Sequence, residues 1–431
     1  MLRAFVNAFK IPDLRNKILF TLFVILLYRL GSYIPVPNVD VPLLANLTGA
    51  GQQGFLSVIN LFSGGALTRM AVFSLGIMPY ITSSIIMQLL TVVIPKLSQW
   101  QKQGEVGTKK ITQWTRYMTV TLALLQSTGL IFLFNNQFTD PQTGQSVVKA
   151  FTPMRVTFMV MTLTAGTALI MWLGELITQR GIGNGMSILI FTSVISTLPA
   201  EGASILSGAG GIAFGIVLAI GFAIIMAVVF MEQGQRRIPV QYAKRVVGRR
   251  MTSGGSTYIP LKVNQAGVIP IIFASSVLYF PSLLGPVITW EPFQRFVNTT
   301  LANPGNPIYM AIYGLLIVFF AYFYTAISFN PTDTADNIRK YGGFIPGIRP
   351  GRPTADHLDH ILTRITLPGS LFLATIALIP GIAFTILGVQ QQQGEFLFGG
   401  TSILITVGVA LETMKQLESQ LTMRHYEGFL R

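Results

Sequence analysis

The chain has 431 residues, of which 51% are hydrophobic and only 11% charged, well below the ~25% charged share of soluble domains. Mean hydropathy is +0.58 and the formal net charge is +14, which points to a polytopic membrane protein with a basic side. The absence of cysteine excludes disulfides, thiolate metal sites and cysteine nucleophiles.

The chain opens with Leu2, Phe5, Val6 and Phe9 on one face of a short helix ended by Pro12, expected to lie at the membrane interface. The first span, near 17–36, has no small-residue cleavage site behind it and reads as retained. The stretch from Phe55 to Pro95 is too long for one crossing and is broken in an unusual place. A short apolar segment beginning at Phe55 and running through Ile59, Asn60 and Phe62 stops at Ser63-Gly64-Gly65. A bilayer core needs ~20 apolar helical residues, so this piece cannot cross. Irregular backbone at that depth is tolerated only inside protein or along a watery cavity. The segment 55–65 is therefore expected to be a short re-entrant helix obstructing a channel. The second span, near 70–94, carries Thr82, Ser83, Ser84 and Gln88, groups that lipid would reject. Further spans are expected near 115–134, 158–176, 182–198, 211–231, 264–284, 308–329, 365–387 and 400–417, ten in all. The fold class expected is all-α, a polytopic membrane protein of ten transmembrane helices.

Loop charge sets the orientation. Alternate loops hold Arg15, Lys17, Lys96, Lys102, Lys109, Lys110, Arg180, Arg236, Arg237, Arg249, Arg250, Arg339, Arg349 and Arg352. The other set holds little that is basic, beside Asp40, Asp140, Glu201, Glu291 and Glu395. By the positive-inside rule, both termini and the basic loops are expected to be cytoplasmic. Two of these loops are larger than connection requires. In 232–263, apolar and polar residues alternate at Ile238, Val240 and Tyr242, and again at Tyr258, Ile259 and Leu261, predicting a β-hairpin off the membrane. The loop 330–363 is rich in turn residues, and long loops at a membrane face usually carry function.

Five spans precede the expected loop at 201–208 and five follow, so an odd-numbered half inverts the second relative to the first. This predicts two pseudo-symmetric halves, 1–205 and 206–431. The second span of each is polar: Ser83, Ser84 and Gln88 in one, Asn264, Gln265, Ser275 and Ser276 in the other. Facing each other, Gln88 and Asn264 would form a hydrogen-bonded seam able to part; the alternative is permanent interhelical glue. Acidic residues deep in the spans, usual in ion-coupled transporters, are missing: only Glu175 and Glu412 approach, near helix ends. The three histidines, His357, His360 and His425, fall in loops or the tail, which removes an intramembrane Ser-His hydrolase; no His-Glu-x-x-His motif exists, and His357 and His360, though spaced like ligands, read as solvated loop histidines. Gly181-Ile182-Gly183-Asn184-Gly185 lacks the Lys-Ser/Thr of a phosphate loop and reads as a helix-start turn. No cofactor is implied, and any driving energy must come from a partner.

Several runs resemble signatures of the SecY family, pore subunits of the bacterial Sec protein translocation channel. They are Leu61-Phe62-Ser63-Gly64-Gly65-Ala66-Leu67, Gly76-Ile77-Met78-Pro79-Tyr80-Ile81, Arg180-Gly181-Ile182-Gly183-Asn184-Gly185, Glu232-Gln233-Gly234-Gln235-Arg236-Arg237, Asn264-Gln265-Ala266-Gly267-Val268-Ile269-Pro270 and Pro346-Gly347-Ile348-Arg349-Pro350-Gly351. They fall in order along essentially the whole chain. The resemblance implies two five-helix halves forming an hourglass, with 55–65 as the plug of the outer funnel. It places an apolar pore ring on Ile77, Ile81, Ile190, Ile272 and Ile405; read without the family, each of these would be ordinary helix packing. It also implies a lateral gate between the second and seventh spans, at Ser84, Gln88, Asn264 and Ser275. Arg249, Arg250 and Arg349 would dock the SecA motor ATPase or the ribosome, and small SecE- and SecG-type membrane subunits would assemble with the chain. Signal sequences, translocating polypeptide and the lipid bilayer of the plasma membrane complete the implied partners. A secondary transporter of a small solute and an ion channel are the rival readings; the Gln390–Gln393 run receives no role.

Overall fold

The structure is a computed structural model describing residues 9, 11–44, 60, 62–137, 146–149, 151–242, 245–247, 250–252, 256–284, 288, 290–301, 306–386 and 400–429. Helix α1 (Pro12–Gly31) starts with proline in its first turn beside Asp13 and ends near Arg29, matching the helix dipole at both ends. Leu14, Ile18, Val24 and Tyr28 are buried, while Leu19, Leu22, Phe23 and Leu26 are exposed on its outer side. Apolar residues on both sides are what a helix needs when its outside faces lipid.

The second span begins later than the hydropathy suggests. Met70 (φ 43°) and Gly76 (φ 56°) adopt left-handed backbone, so residues 70–77 fold into turns and α2 covers only Met78–Val93. These turns are tied to the chain after α1: Val36 N–H donates to the Met70 carbonyl (2.9 Å) and Val72 N–H to that of Ile34 (2.8 Å). Pro95 then opens α3 (Pro95–Lys102), bent 100° from α2. Helices α4 (Glu105–Gln137) and α5 (Pro153–Arg180) follow. The expected helix-start turn is present: Asn184 Oδ1 accepts from the backbone N–H of Met186 (3.1 Å) and Ser187 (3.5 Å), capping α6 (Gly185–Gln233). The fifth and sixth spans are both within α6. Residues 201–208, expected as a loop, are helical, and the break falls at Gly210, whose φ 83° and ψ 170° are open to glycine alone.

Beyond the hairpin lie α7 (Ile269–Leu284), α8 (Glu291–Phe296) with a π-turn at Val297–Leu301, and α9 (Pro307–Ser328). They are followed by α10 (Pro331–Lys340), α11 (Arg352–Ile386) and α12 (Gly400–Phe429). Among the described residues, five helices are by themselves long and apolar enough to cross a membrane, six if α2 and α3 count together. The apolar parts Gly185–Ala200 and Ile269–Leu278 are shorter. With α6 taken as two segments, helices α1, α2, α4, α5, α6, α7, α9, α11 and α12 cover the ten expected positions.

Among the described residues the membrane helices form two large apolar cores and a small one, in which Leu14 and Ile18 of α1 pack with Ile182 and with Leu417 of α12. One large core is built mainly from α1 to α6 and includes Tyr28, Phe62, Leu130, Ile170 and Leu189; the other, mainly from α7 to α12, includes Phe273, Ile317, Leu373 and Leu404. A further core lies outside the spans. Strand β1 (Gln235–Tyr242) pairs antiparallel with β4 (Ser256–Lys262), with Ile238 opposite Ile259, and a tip ladder joins β2 (Arg245–Val247) to β3 (Arg250–Thr252). The predicted hairpin is thus formed. Strand β5 (Gly343–Phe344), from the other large loop, adds to the free edge of β1. Ile238, Val240 and Leu261 pack with Ile338, Ile345, Leu358, Ile361 and Leu362, so the two loops fold as one extramembrane body.

Candidate functional site

Ile77 caps the start of α2 and Ile81 follows one turn later, while Ile190, Ile272 and Ile405 come from α6, α7 and α12. All but the half-buried Ile81 are buried, and all five belong to, or pack on, a single apolar cluster. Ile272 and Ile405 are guests there, since most of that cluster comes from the first six spans. Ile81 and Val268 also pack on the second core, so the two clusters touch at these side chains. β-Branching holds such side chains to few rotamers, and a narrow apolar constriction blocks ions by dewetting.

Of the segment 55–65, expected to obstruct a channel, Phe55 and Ile59 lie outside the described residues. Asn60, Phe62 and Ser63 are helical and buried, and Phe62 joins the isoleucine cluster. Ser63 Oγ donates to the Asn60 carbonyl (3.2 Å) and accepts from Leu67 N–H (3.3 Å). The chain then reverses through Gly64 and Gly65, both at positive φ. The turn before α2 closes over it: a Cβ on Gly76 would stand 2.8 Å from the Phe62 carbonyl oxygen. One α1 side chain reaches the reversal, with Arg29 Nη1 donating to the Gly64 carbonyl and to Ser196 Oγ of α6, each at 2.8 Å.

Of the seam residues, Asn264 and Ser275 are buried, Ser84 is half-buried and Gln88 is exposed. The expected Gln88–Asn264 hydrogen bond does not form. Asn264 Nδ2 donates instead to Glu232 Oε1 at 2.6 Å and to the Gly267 carbonyl at 3.1 Å, tying the entry of α7 to the end of α6. The hydroxyls of Thr82, Ser83 and Ser275 donate to carbonyls of their own helices, at Met78, Pro79 and Ile272, and so need no partner across the seam. Helix α7 packs broadly on α9 and only thinly on α2. Glu232 stands in one of the quoted motifs, but nothing in the sequence marked its partner 32 positions away.

In the extramembrane body, Arg349 is exposed on a turn held between Gly347 (φ 81°) and Gly351 (φ 105°). Ile345 and Ile348 anchor that turn in the sheet core, and Thr354 Oγ1 donates to the Arg349 carbonyl (2.9 Å). Arg236 and Arg237 are exposed at the start of β1, with the Arg237 guanidinium 4.9 Å from the Tyr258 ring centroid. Arg250 opens β3, and Arg249 lies outside the described residues, as does 390–393. Among the described residues no cluster of His, Asp and Glu could hold a metal ion. Glu175, read only as an acid near a helix end, is held in a bidentate pair: Arg116 Nε and Nη2 of α4 donate to its oxygens at 2.8 and 2.6 Å. The pair lines a cavity of about 330 Å³ with Met171, Trp172, Leu176 and Gln179.

Comparison with known proteins gives a consistent result. The family described as SecY matches residues 71–414. The protein translocase subunit SecY of Streptomyces scabiei is 55% identical over 445 aligned positions, covering 100% of both chains. A solved structure of a protein-conducting channel superimposes with a TM-score of 0.64 at 18% identity, covering 94% of this chain and 92% of that one. Another, in which the plug domain of the SecY protein is described as stabilising the closed state and maintaining a membrane seal, has a TM-score of 0.63 at 18% identity and the same coverage.

Proposed function

The chain belongs to the SecY family, and on that premise we propose that it is the protein-conducting channel that passes unfolded secretory polypeptides across the bacterial plasma membrane and releases transmembrane segments sideways into lipid. It performs no chemistry of its own. Movement is driven by a docked SecA motor or by a translating ribosome, and small SecE- and SecG-type subunits complete the assembly. The small-solute transporter weighed from composition falls with the family assignment.

The observation that carries the reading is that Ile77, Ile81, Ile190, Ile272 and Ile405, from four helices distant in sequence, belong to or pack on one apolar cluster that also holds Phe62. In this reading they are the gasket of the pore, the segment 55–65 is its plug, and the halves 1–205 and 206–431 part along α2 and α7. The thin packing between those helices supports a gate there. Both termini and the sheet body face the cytoplasm, as the loop charges favour. Arg349, projecting from a turn anchored in that body, is suited to acidic protein surfaces and RNA phosphates alike.

The test is reconstitution of the full chain with its small subunits and SecA in liposomes, scoring ATP-dependent protection of a secretory precursor from added protease. Protection that requires SecA is expected, and Arg349→Glu should reduce it at least tenfold while the channel stays folded. Small-solute flux without precursor protection would overturn the proposal.

A further inference from the structure

Arg29 lies in the last turn of a membrane helix, and among the described residues no carboxylate pairs with it. A guanidinium in the last turn is favoured by the helix dipole and could turn to water, yet this one is held on neutral acceptors from other parts of the chain. Its Nη1 is shared between a backbone carbonyl at Gly64 and the hydroxyl of Ser196, each at 2.8 Å. Ser196 in turn donates to the Ser193 carbonyl (2.7 Å), and the Ser193 hydroxyl is 2.6 Å from that of Tyr28, the residue before Arg29. The contacts are close-fitting: a Cβ on Gly64, whose φ is +64°, would stand 3.0 Å from Arg29 Nη1 and 3.1 Å from Ser193 Cα. On the far side, Arg29 Nη2 donates to the Tyr33 hydroxyl (3.4 Å), and the Arg69 guanidinium lies 4.1 Å from the Tyr33 ring centroid. The two ends of the turn that leaves the plug, Gly64 and Arg69, are thus both held at the outer end of α1.

From this geometry we infer that Arg29 is the latch of the plug, a positioning residue that pins its exit turn to α1 and α6 and must release the Gly64 carbonyl before the channel opens. The inference rests on the reading of 55–65 as a plug. A carbonyl is a neutral acceptor that any displaced segment can withdraw, whereas a carboxylate at the same point would make an ion pair harder to break. One nitrogen, Nη1, serves both Gly64 and Ser196, and the other arm of the fork, Nη2, reaches Tyr33; lysine could supply the first pair from one ammonium but has no second arm, and glutamine is shorter and uncharged.

The experiment is idle ion conductance of the full chain, reconstituted with its small subunits in planar bilayers without motor or precursor. Loss of a charge-assisted hydrogen bond is expected to shift the closed-to-displaced ratio by roughly tenfold, so Arg29→Gln should raise idle conductance about that much. Arg29→Lys and Ser196→Ala should give smaller increases. In a chain lacking residues 55–65, adding Arg29→Gln should leave the conductance of the deletion unchanged, an outcome that general loosening of the helices would not produce. An Arg29→Gln channel as tight as the parent, beside a leaking deletion, overturns the latch and leaves the plug standing. If the deletion is also tight, the plug reading itself fails. Should Arg29→Gln not accumulate, Gly64→Ala decides: its methyl would stand 3.0 Å from the guanidinium and 3.1 Å from Ser193 Cα and so press the exit turn off both, and a tight Gly64→Ala channel overturns the inference.

Discussion

Arg116 and Glu175 show how charge is made tolerable between two membrane helices. Both Glu175 oxygens are engaged, its side chain is only 15% exposed, and that of Arg116 is 39% exposed. Removing either partner strands the other, but solvent at Arg116 screens part of the loss. Arg116→Gln or Glu175→Gln should therefore cost about 1–2 kcal/mol rather than the ~3–5 of a fully buried pair. The double replacement Arg116→Leu, Glu175→Leu should recover most of it, checked by thermal denaturation in detergent; additive losses would mean that the two groups act independently. Glu232 is the second such residue. Its 2.6 Å bond to Asn264 is charge-assisted, in a class worth about 1.5–3 kcal/mol. Glu232→Ala frees the entry of α7 and is expected to let precursors with weakened signal sequences pass more readily, measured against an intact signal in the same liposomes.

Among the elements, the β1–β4 hairpin depends on a partner from elsewhere in the chain. Alternation puts Ile238 and Val240 on one face, and that face finds its cover in α10, α11 and β5, about a hundred positions later. Val240 is 1% exposed. Val240→Asp places an unpaired carboxylate in that core and should cost several kcal/mol. Limited proteolysis is expected to cut within 232–263 while the membrane helices remain intact. Motor-dependent translocation should fall together with the folded body. Persistent protease resistance would show that the two loops are stable separately.

For the molecule as a whole, the decisive arrangement is two large apolar cores that share Ile81 and Val268 as neighbours. Ile405 of α12 is fully buried in a cluster built mostly from α1 to α6, so it joins α12 to those helices as well as lying on the proposed gasket. These two roles can be separated. Ile405→Val removes one methylene, costs about 1 kcal/mol, and should leave idle ion conductance unchanged. Ile405→Ser puts a hydroxyl where the constriction must stay dry and should raise idle conductance several-fold in planar bilayers. Equal conductance for both variants would assign Ile405 to packing alone.

Hydropathy and loop charge were enough to read ten helical segments in order, and period-two alternation was enough for the hairpin, because both are written in neighbouring residues. The helix-start turn at Asn184 was equally local: a side-chain oxygen reaching two backbone N–H groups just ahead. The boundaries were less legible. A run of apolar residues from Met70 hid the turns that delay α2 to Met78, and the polar stretch at 201–208 suggested a loop where the break waits until Gly210. Hydropathy reports the solvent a residue prefers, whereas positive φ is a backbone property that apolar neighbours do not reveal. The five isoleucines were identified only through a family resemblance, since helical packing needs the same residues at the same spacing. What tertiary structure alone decided was the choice of partners: Asn264 with Glu232 instead of Gln88, Arg116 with Glu175, Arg29 with the Gly64 carbonyl, and one loop's strand with the other's. A polar group buried among helices must find an acceptor or donor, but which one is set by helices brought together from distant parts of the chain.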